Sequence, residues 1–223
     1  MTASGGTSRL ILVTGGARSG KSSFAERLAA DRAGAPAGSD RVTYLATSEV
    51  LDEEMAARVA AHQTARPASW TTVECPLEVP GTVRAHAATT DVFLLDCVTF
   101  WTTNLLFSGG AFGGSRPPEE GFNYDDSLLA AAEERAAAER VTAAVDGLLA
   151  AVSETGSTLI AVSNEVGLGV VPEYPLARLY RDQLGWANQR LARAADEVYL
   201  LVAGLALDVR ALALPPSSPK ESP

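Results

Sequence analysis

The eight residues GGARSGKS at positions 15–22 restrict what this chain can be more than any other stretch. They fit the pattern G-x-x-x-x-G-K-[ST], they follow the apolar run RLILVT, and SSFAERLAA opens a helix within and after them. In that strand, loop, helix context the pattern has a physical meaning. Glycines let consecutive backbone N–H groups curl round a phosphate, and the N-terminus of the following helix adds its dipole at the same spot. Gly15, Gly16, Ala17, Arg18, Ser19 and Gly20 would form the cradle, Lys21 would reach the outer phosphates, and Ser22 would offer its hydroxyl to Mg²⁺. Lysine usage agrees: the chain has only Lys21 and Lys220 against 16 arginines, and Lys220 lies in the tail PPSSPKESP. A compact point charge is wanted at position 21, where a guanidinium serves elsewhere.

Further apolar runs recur with helical segments between them: RVTYLAT (41–47), DVFLLDCV (91–98), STLIAVSNEV (157–166) and EVYLLVAG (197–204). Near-continuous hydrophobic strands suit a parallel sheet buried on both faces. The helical candidates are 20–33, 49–65, 99–107, 124–154 and 176–195. Strand alternating with helix gives an α/β fold, a P-loop nucleotide-binding domain over 9–210 with ligands at the carboxyl ends of its strands. WTTVEC (70–75) and LALDVR (205–210) are weaker strand candidates, the second antiparallel through the turn at Gly204. Residues 1–8, the Gly/Pro-rich 108–121 and the end from Pro215 are expected to be peripheral, the termini as flexible tails.

A triphosphate site also needs an acid for its metal, and Asp96 closes the run VFLLDC where such a residue belongs. Its competing role is to cap the helix that begins near residue 99, as Thr99 could also do. Glu165, in SNEVGLG, closes another strand in the same way and has two readings, substrate positioning or structural capping. His62 is harder. Leu51, Met55, Val59 and His62 fall on one helical stripe, which favours a packed side chain. Arg58 and Arg66 lie one turn to either side, and two guanidiniums beside an imidazole suit phosphate oxygens better than a core. They would keep the ring neutral until an anion binds, leaving a nitrogen free to attack phosphorus. His86, in RAHAATT, has no such company and is expected to be surface or structural.

Four segments together resemble one family: ILVTGGARSGKSSFAE, YLATSEVLDEEMAARVAAHQTARPASWTTVE, LLDCVTFWTTNLLF and VSNEVGLGVVPEYPLARLYRDQLGWANQRLARAADEVYLLVAG. The family is the bifunctional adenosylcobinamide kinase / adenosylcobinamide-phosphate guanylyltransferase of cobalamin biosynthesis. The H-Q-x-x-R-P-x-x-W and S-N-E-V-G-x-G-x-V-P-E segments are its specific marks. The resemblance implies a RecA-like, mostly parallel sheet with helices on both faces. It implies two reactions, phosphorylation of adenosylcobinamide by ATP or GTP and transfer of GMP from GTP to the product, with His62 as the guanylyl carrier. By the same resemblance Ala46, Thr47 and Ser48 contact nucleotide, Gln63, Thr64, Ala65, Arg66 and Glu74 complete the GTP contacts, and Asp96 serves metal or nucleotide. A homo-oligomer, a propeller-shaped trimer, is also implied.

The remaining composition removes other classes. A formal charge of -9 argues against a general nucleic-acid surface. Cys75 and Cys97, 22 residues apart, indicate neither disulfide framework nor zinc site and are expected to be buried thiols. No stretch approaches the twenty apolar residues of a membrane span, and MTASGGTSR lacks the layout of a secretory signal, so a cytoplasmic location is expected. Two rivals keep the P-loop but not the covalent intermediate: an ordinary small-molecule kinase, and a RecA-like regulatory ATPase.

Overall fold

The computed structural model describes residues 9–34, 40–48, 66–108 and 131–214. Its strands are β1 (Leu10–Gly15), β2 (Val42–Ala46), β3 (Thr71–Glu74), β4 (Val92–Asp96), β5 (Thr158–Val162), β6 (Glu197–Val202) and β7 (Leu205–Asp208). Its helices are α1 (Lys21–Gly34), α2 (Val79–His86), α3 (Val98–Phe107), α4 (Ala131–Thr155), α5 (Pro175–Ala194) and the short α6 (Val209–Leu212). The strands form one sheet in the order β3-β2-β4-β5-β1-β6-β7. All pairings are parallel except β6 with β7, which turn back through Ala203 and Gly204, both at positive φ.

Continuous apolar strands mean two buried faces, and the odd and even positions divide accordingly. Leu10, Leu12, Phe93, Leu95, Leu159 and Ala161 join a core with Trp101 of α3, Val145 and Leu148 of α4 and Leu184 of α5. Their sequence neighbours Ile11, Val13, Val92, Leu94, Ile160 and Val162 join the opposite core beneath α1. There Ala25, Ala29 and Ala33, spaced by four, give α1 a small-residue face that lets it lie close to the sheet. Each large aliphatic side chain so buried contributes about 1.5–3 kcal/mol. Stability therefore resides in the sheet's two faces, and its rim is left for chemistry.

The weak strand candidates are both present: β3 pairs parallel with β2, and β7 pairs antiparallel with β6 at the other edge. The strand rows and the helices expected near 20–33, 99–107 and 176–195 match within a residue or two. The helix expected at 49–65 lies outside the described residues, as do 109–130, so the long helix is described from Ala131. Helix α2 was not expected. Its eight residues include Pro80 and Gly81, poor helix formers; Pro80 is tolerated because it falls in the first turn, and Val79 and Val83 anchor one side. His86 closes that helix, its Nδ1 3.0 Å from the Thr82 carbonyl. Both cysteines are buried and free.

Candidate active site

The loop of residues 16–20 leaves β1 and enters α1 over the carboxyl end of the sheet. Gly15 has φ 149°, and a Cβ there would sit 2.4 Å from the Leu201 carbonyl oxygen and 2.9 Å from Ser19 Oγ. Only glycine permits so close an approach of β1 to β6. Gly20 has φ 93°, and its neighbour across the gap is Gly204 in the β6–β7 turn, whose N–H donates to the Ser19 carbonyl at 3.0 Å. The antiparallel edge hairpin thus braces the loop from behind.

Lys21 is the first residue of α1, only 8% exposed, and its Nζ donates to the Gly16 carbonyl at 2.6 Å. Burial lowers its pKa, while the nearby Cys97 and Asp96 oppose that shift. Ser19 Oγ is buried with no partner among the described residues. A buried hydroxyl without a partner among the described residues, beside the glycine loop and a folded-back ammonium, suits an oxygen-rich anion.

Asp96 ends β4, level with Ala46 of β2 on one side and Val162 of β5 on the other. Its carboxylate does not cap α3, whose N-cap is Cys97 with no side-chain bond. Instead Oδ2 accepts from the Tyr44 hydroxyl at 3.0 Å. Burial raises the Tyr44 pKa and the charge of Asp96 raises it further, with Arg66 opposing, so the phenol remains a donor. Arg66 lies over the Tyr44 ring at 3.2 Å, with Nε 3.3 Å from Glu26 Oε1. Its side chain is 7% exposed, so stacking and ion pair together hold a guanidinium at the rim.

Thr47 fixes the segment after Asp96. Its Oγ1 donates to the Cys97 carbonyl at 2.7 Å and accepts from the Cys97 N–H at 2.8 Å, fully buried. Asn104 Nδ2 in turn donates to the Thr47 carbonyl at 2.8 Å and to the Pro76 carbonyl at 3.0 Å, tying β2 to α3 and to the segment after β3. Burial pushes the Cys97 thiol up to about 11, with Asp96 adding to the shift.

At the end of β5, Glu165 Oε1 accepts from Thr14 Oγ1 at 3.0 Å and from Asn188 Nδ2 at 3.3 Å. Asn188, buried on α5, also donates to the Asn164 carbonyl at 3.0 Å and accepts from Ser163 Oγ at 2.5 Å. The Glu165 N–H donates to the Gly15 carbonyl at 3.1 Å.

Of the residues expected in the site, Gly15, Gly16, Ala17, Arg18, Ser19, Gly20, Lys21 and Ser22 form the loop and the first turn of α1, with Ala46, Thr47, Ser48, Glu74 and Asp96 at neighbouring strand ends. Arg66 joins them through Tyr44, and Glu74 is exposed on the edge strand. His62, Gln63, Thr64 and Ala65 lie outside the described residues. Tyr44, Glu26, Thr14 and Asn188 were not anticipated. The available signal was Tyr44, since a tyrosine in a buried strand needs a partner for its hydroxyl. For Mg²⁺, the described residues contain no cluster of three or more His, Cys, Asp or Glu. Ser22 and Asp96 are oxygen donors, and a hard cation that shares its shell with substrate phosphates and water takes few protein ligands, so the residues fit.

The family model and the sequence relatives point to one family. Residues 11–209 match the family model for cobinamide kinase / cobinamide phosphate guanyltransferase. A bifunctional adenosylcobalamin biosynthesis protein of Salmonella typhimurium is 46% identical over 201 residues, 90% of this chain and 99% of that one. Its counterpart in Escherichia coli K12 is 42% identical over the same shares, and that of Pseudomonas aeruginosa is 39% identical over 89% of this chain and 96% of its own. Among solved structures, a KaiC-like protein of Pyrococcus horikoshii OT3 has a TM-score of 0.41 and 14% identity, covering 88% of this chain and 70% of that one, a likeness too loose to carry any argument. With a phosphate loop, an acid at the end of β4 and a family match over residues 11–209, the chain belongs to the cobinamide kinase / cobinamide phosphate guanyltransferase family.

Proposed function

We propose that the chain phosphorylates the aminopropanol hydroxyl of adenosylcobinamide with ATP or GTP, then transfers GMP from GTP to that phosphate through a guanylyl group on His62, giving adenosylcobinamide-GDP. The observation that carries the nucleotide chemistry is the meeting of Lys21, the 16–20 loop and Asp96 at one rim of the sheet. The corrinoid substrate comes from the family, and the role of His62 from the resemblance of its flanking sequence.

In the kinase step Lys21 exchanges the Gly16 carbonyl for phosphate oxygens, and with the loop amides it stabilises charge on the transferring group. Ser22 and Asp96 would hold Mg²⁺, which when bound neutralises phosphate charge. In the second reaction a neutral His62 nitrogen attacks the α-phosphorus and pyrophosphate leaves. A phosphate oxygen of the phosphorylated cobinamide then displaces histidine, so one difficult displacement becomes two easier ones. Glu74 can accept from the paired N–H donors of guanine, which adenine does not present. The enzyme acts in the cytoplasm as a homo-oligomer, a trimer.

The test is covalent labelling with Mg²⁺ and GTP. Label at the α-phosphate should remain on the denatured wild-type protein, survive alkali and leave in acid, whereas γ-label should not remain. The His62→Asn variant should retain neither. An α-labelled adduct that persists in His62→Asn removes His62 from the mechanism, and no adduct at all leaves an ordinary kinase.

A further inference from the structure

We propose that Glu165 is the general base of the kinase step, held for that task by Thr14 and Asn188. The inference rests on the proposed phosphorylation of an alcohol and supplies the group that accepts its proton.

Strand order puts Glu165 in position. β5 lies between β1, which carries the phosphate loop, and β4, which carries Asp96. Neighbouring strands are about 4.8 Å apart, so the loop strand and the acid strand are separated by about 10 Å, with the end of β5 between them. Glu165 is tied to the first residue of the loop motif by its own N–H on the Gly15 carbonyl. The chain position of Glu165, just past the end of β5, therefore lies between the strand of the phosphate loop and the strand of Asp96.

Its surroundings aim the group without neutralising it. Thr14 and Asn188 both donate to Oε1, and Oε2 makes no bond among the described residues. Three buried polar side chains, Thr14, Ser163 and Asn188, serve this arrangement, and no cation pairs with the carboxylate among the described residues. One oxygen is anchored and the other left as an acceptor, the geometry a base requires. Asp96, which also has one oxygen bonded, by the Tyr44 hydroxyl, is assigned to the metal in the proposed function and so is not the base. In the step, the substrate alcohol oxygen bonds to the γ-phosphorus as the bond to the bridging oxygen breaks. The nucleoside diphosphate leaves with that electron pair, the alcohol proton passes to Oε2, and Glu165 later releases it to water.

Glu165→Gln keeps an Oε1 acceptor for Thr14 and Asn188 and removes the base. With purified full-length protein, adenosylcobinamide and Mg-ATP, kcat for phosphorylation should fall about 10²–10⁴-fold, with KM for ATP within about threefold of wild type. Guanylyl-enzyme formation from α-labelled GTP needs no alcohol deprotonated, so it should continue at the wild-type rate. Glu165→Asp should recover at least about tenfold of the lost rate, and Thr14→Val should slow the wild type but not the Glu165→Gln variant. A kcat within about fivefold of wild type in Glu165→Gln overturns the assignment. Parallel loss of both activities with a lowered melting temperature also overturns it, leaving the network a structural brace. If wild type guanylylates itself but leaves adenosylcobinamide unphosphorylated, the kinase reading fails and this inference fails with it; wild-type turnover beside an undiminished Glu165→Gln variant sinks the inference alone.

Discussion

Replacing Thr47 by valine keeps the side chain's volume and removes a single hydroxyl whose two bonds are both known. Thr47 Oγ1 donates to the Cys97 carbonyl at 2.7 Å and accepts from the Cys97 N–H at 2.8 Å. The two losses are unequal. The carbonyl keeps a second donor, the Trp101 N–H at 3.1 Å, so it gives up one ordinary bond worth about 0.5–1.5 kcal/mol. The N–H loses its only described partner in a fully buried place, which costs about 1–3 kcal/mol. Together they make Thr47→Val about 3 kcal/mol less stable. For a domain of this size that is a fall of about 6–12 °C in melting temperature. Thr47→Ser retains the hydroxyl and gives up one methyl, about 1 kcal/mol.

The expected stability order is therefore wild type, then serine, then valine, read as urea midpoints at unchanged slope. If Thr47 acted through packing alone, valine would equal wild type and serine would be the worse variant. That inversion would refute the reasoning. Because Cys97 follows Asp96 directly, the valine variant should also lose phosphoryl transfer out of proportion to its folded fraction.

Gly15→Ala must place a Cβ 2.4 Å from the Leu201 carbonyl oxygen at φ 149°, so β1 and β6 must part at the root of the loop. Nucleotide affinity, followed by calorimetric titration, should fall at least about tenfold and the melting temperature should drop, whereas Gly16→Ala, with open space around its Cβ, should melt as wild type. The two thiols set a pH dependence. Burial pushes Cys75 and Cys97 from 9.0 to about 11, so above pH 9 the unfolded chain releases these protons before the folded one does. Their contribution is complete below pH 9 and is lost as the pH rises toward 11; the urea midpoint should decline over that window, and less so in Cys75→Ser.

Much of the fold was legible because its signals are local. A buried parallel strand must be apolar on both faces, so LILVT, VFLL and LIAV stand out without knowledge of their neighbours. The loop was legible because Gly15 and Gly20 stand where the backbone takes a positive φ, and Lys21 because it is the one lysine among the described residues. Asp96 was legible as a charge closing an apolar run, and the structure answers only one of its two readings: it does not cap the following helix, and its Oδ2 accepts from Tyr44. Helix α2 was not legible, since Pro80 and Gly81 mask an anchor of only two valines. Cys75 and Cys97 were expected to be buried thiols, and they are.

The contacts that assemble the site follow a different logic. Tyr44 and Asp96 are 52 residues apart, Glu26 and Arg66 are 40 apart, and Thr14 and Glu165 are 151 apart. No periodicity joins such pairs; only the order of strands does, and β5 takes its place between β4 and β1 after the 25-residue helix α4. A crossover rule gives the handedness of that connection but not the slot it fills. Once the slot is known, the register does the rest. Ala46, Asp96 and Val162 are level across β2, β4 and β5, and Gly15 ends β1 beside them. The strands therefore end at the same rim, which is why a glycine loop, an aspartate and a glutamate from distant parts of the chain lie along one edge of the sheet.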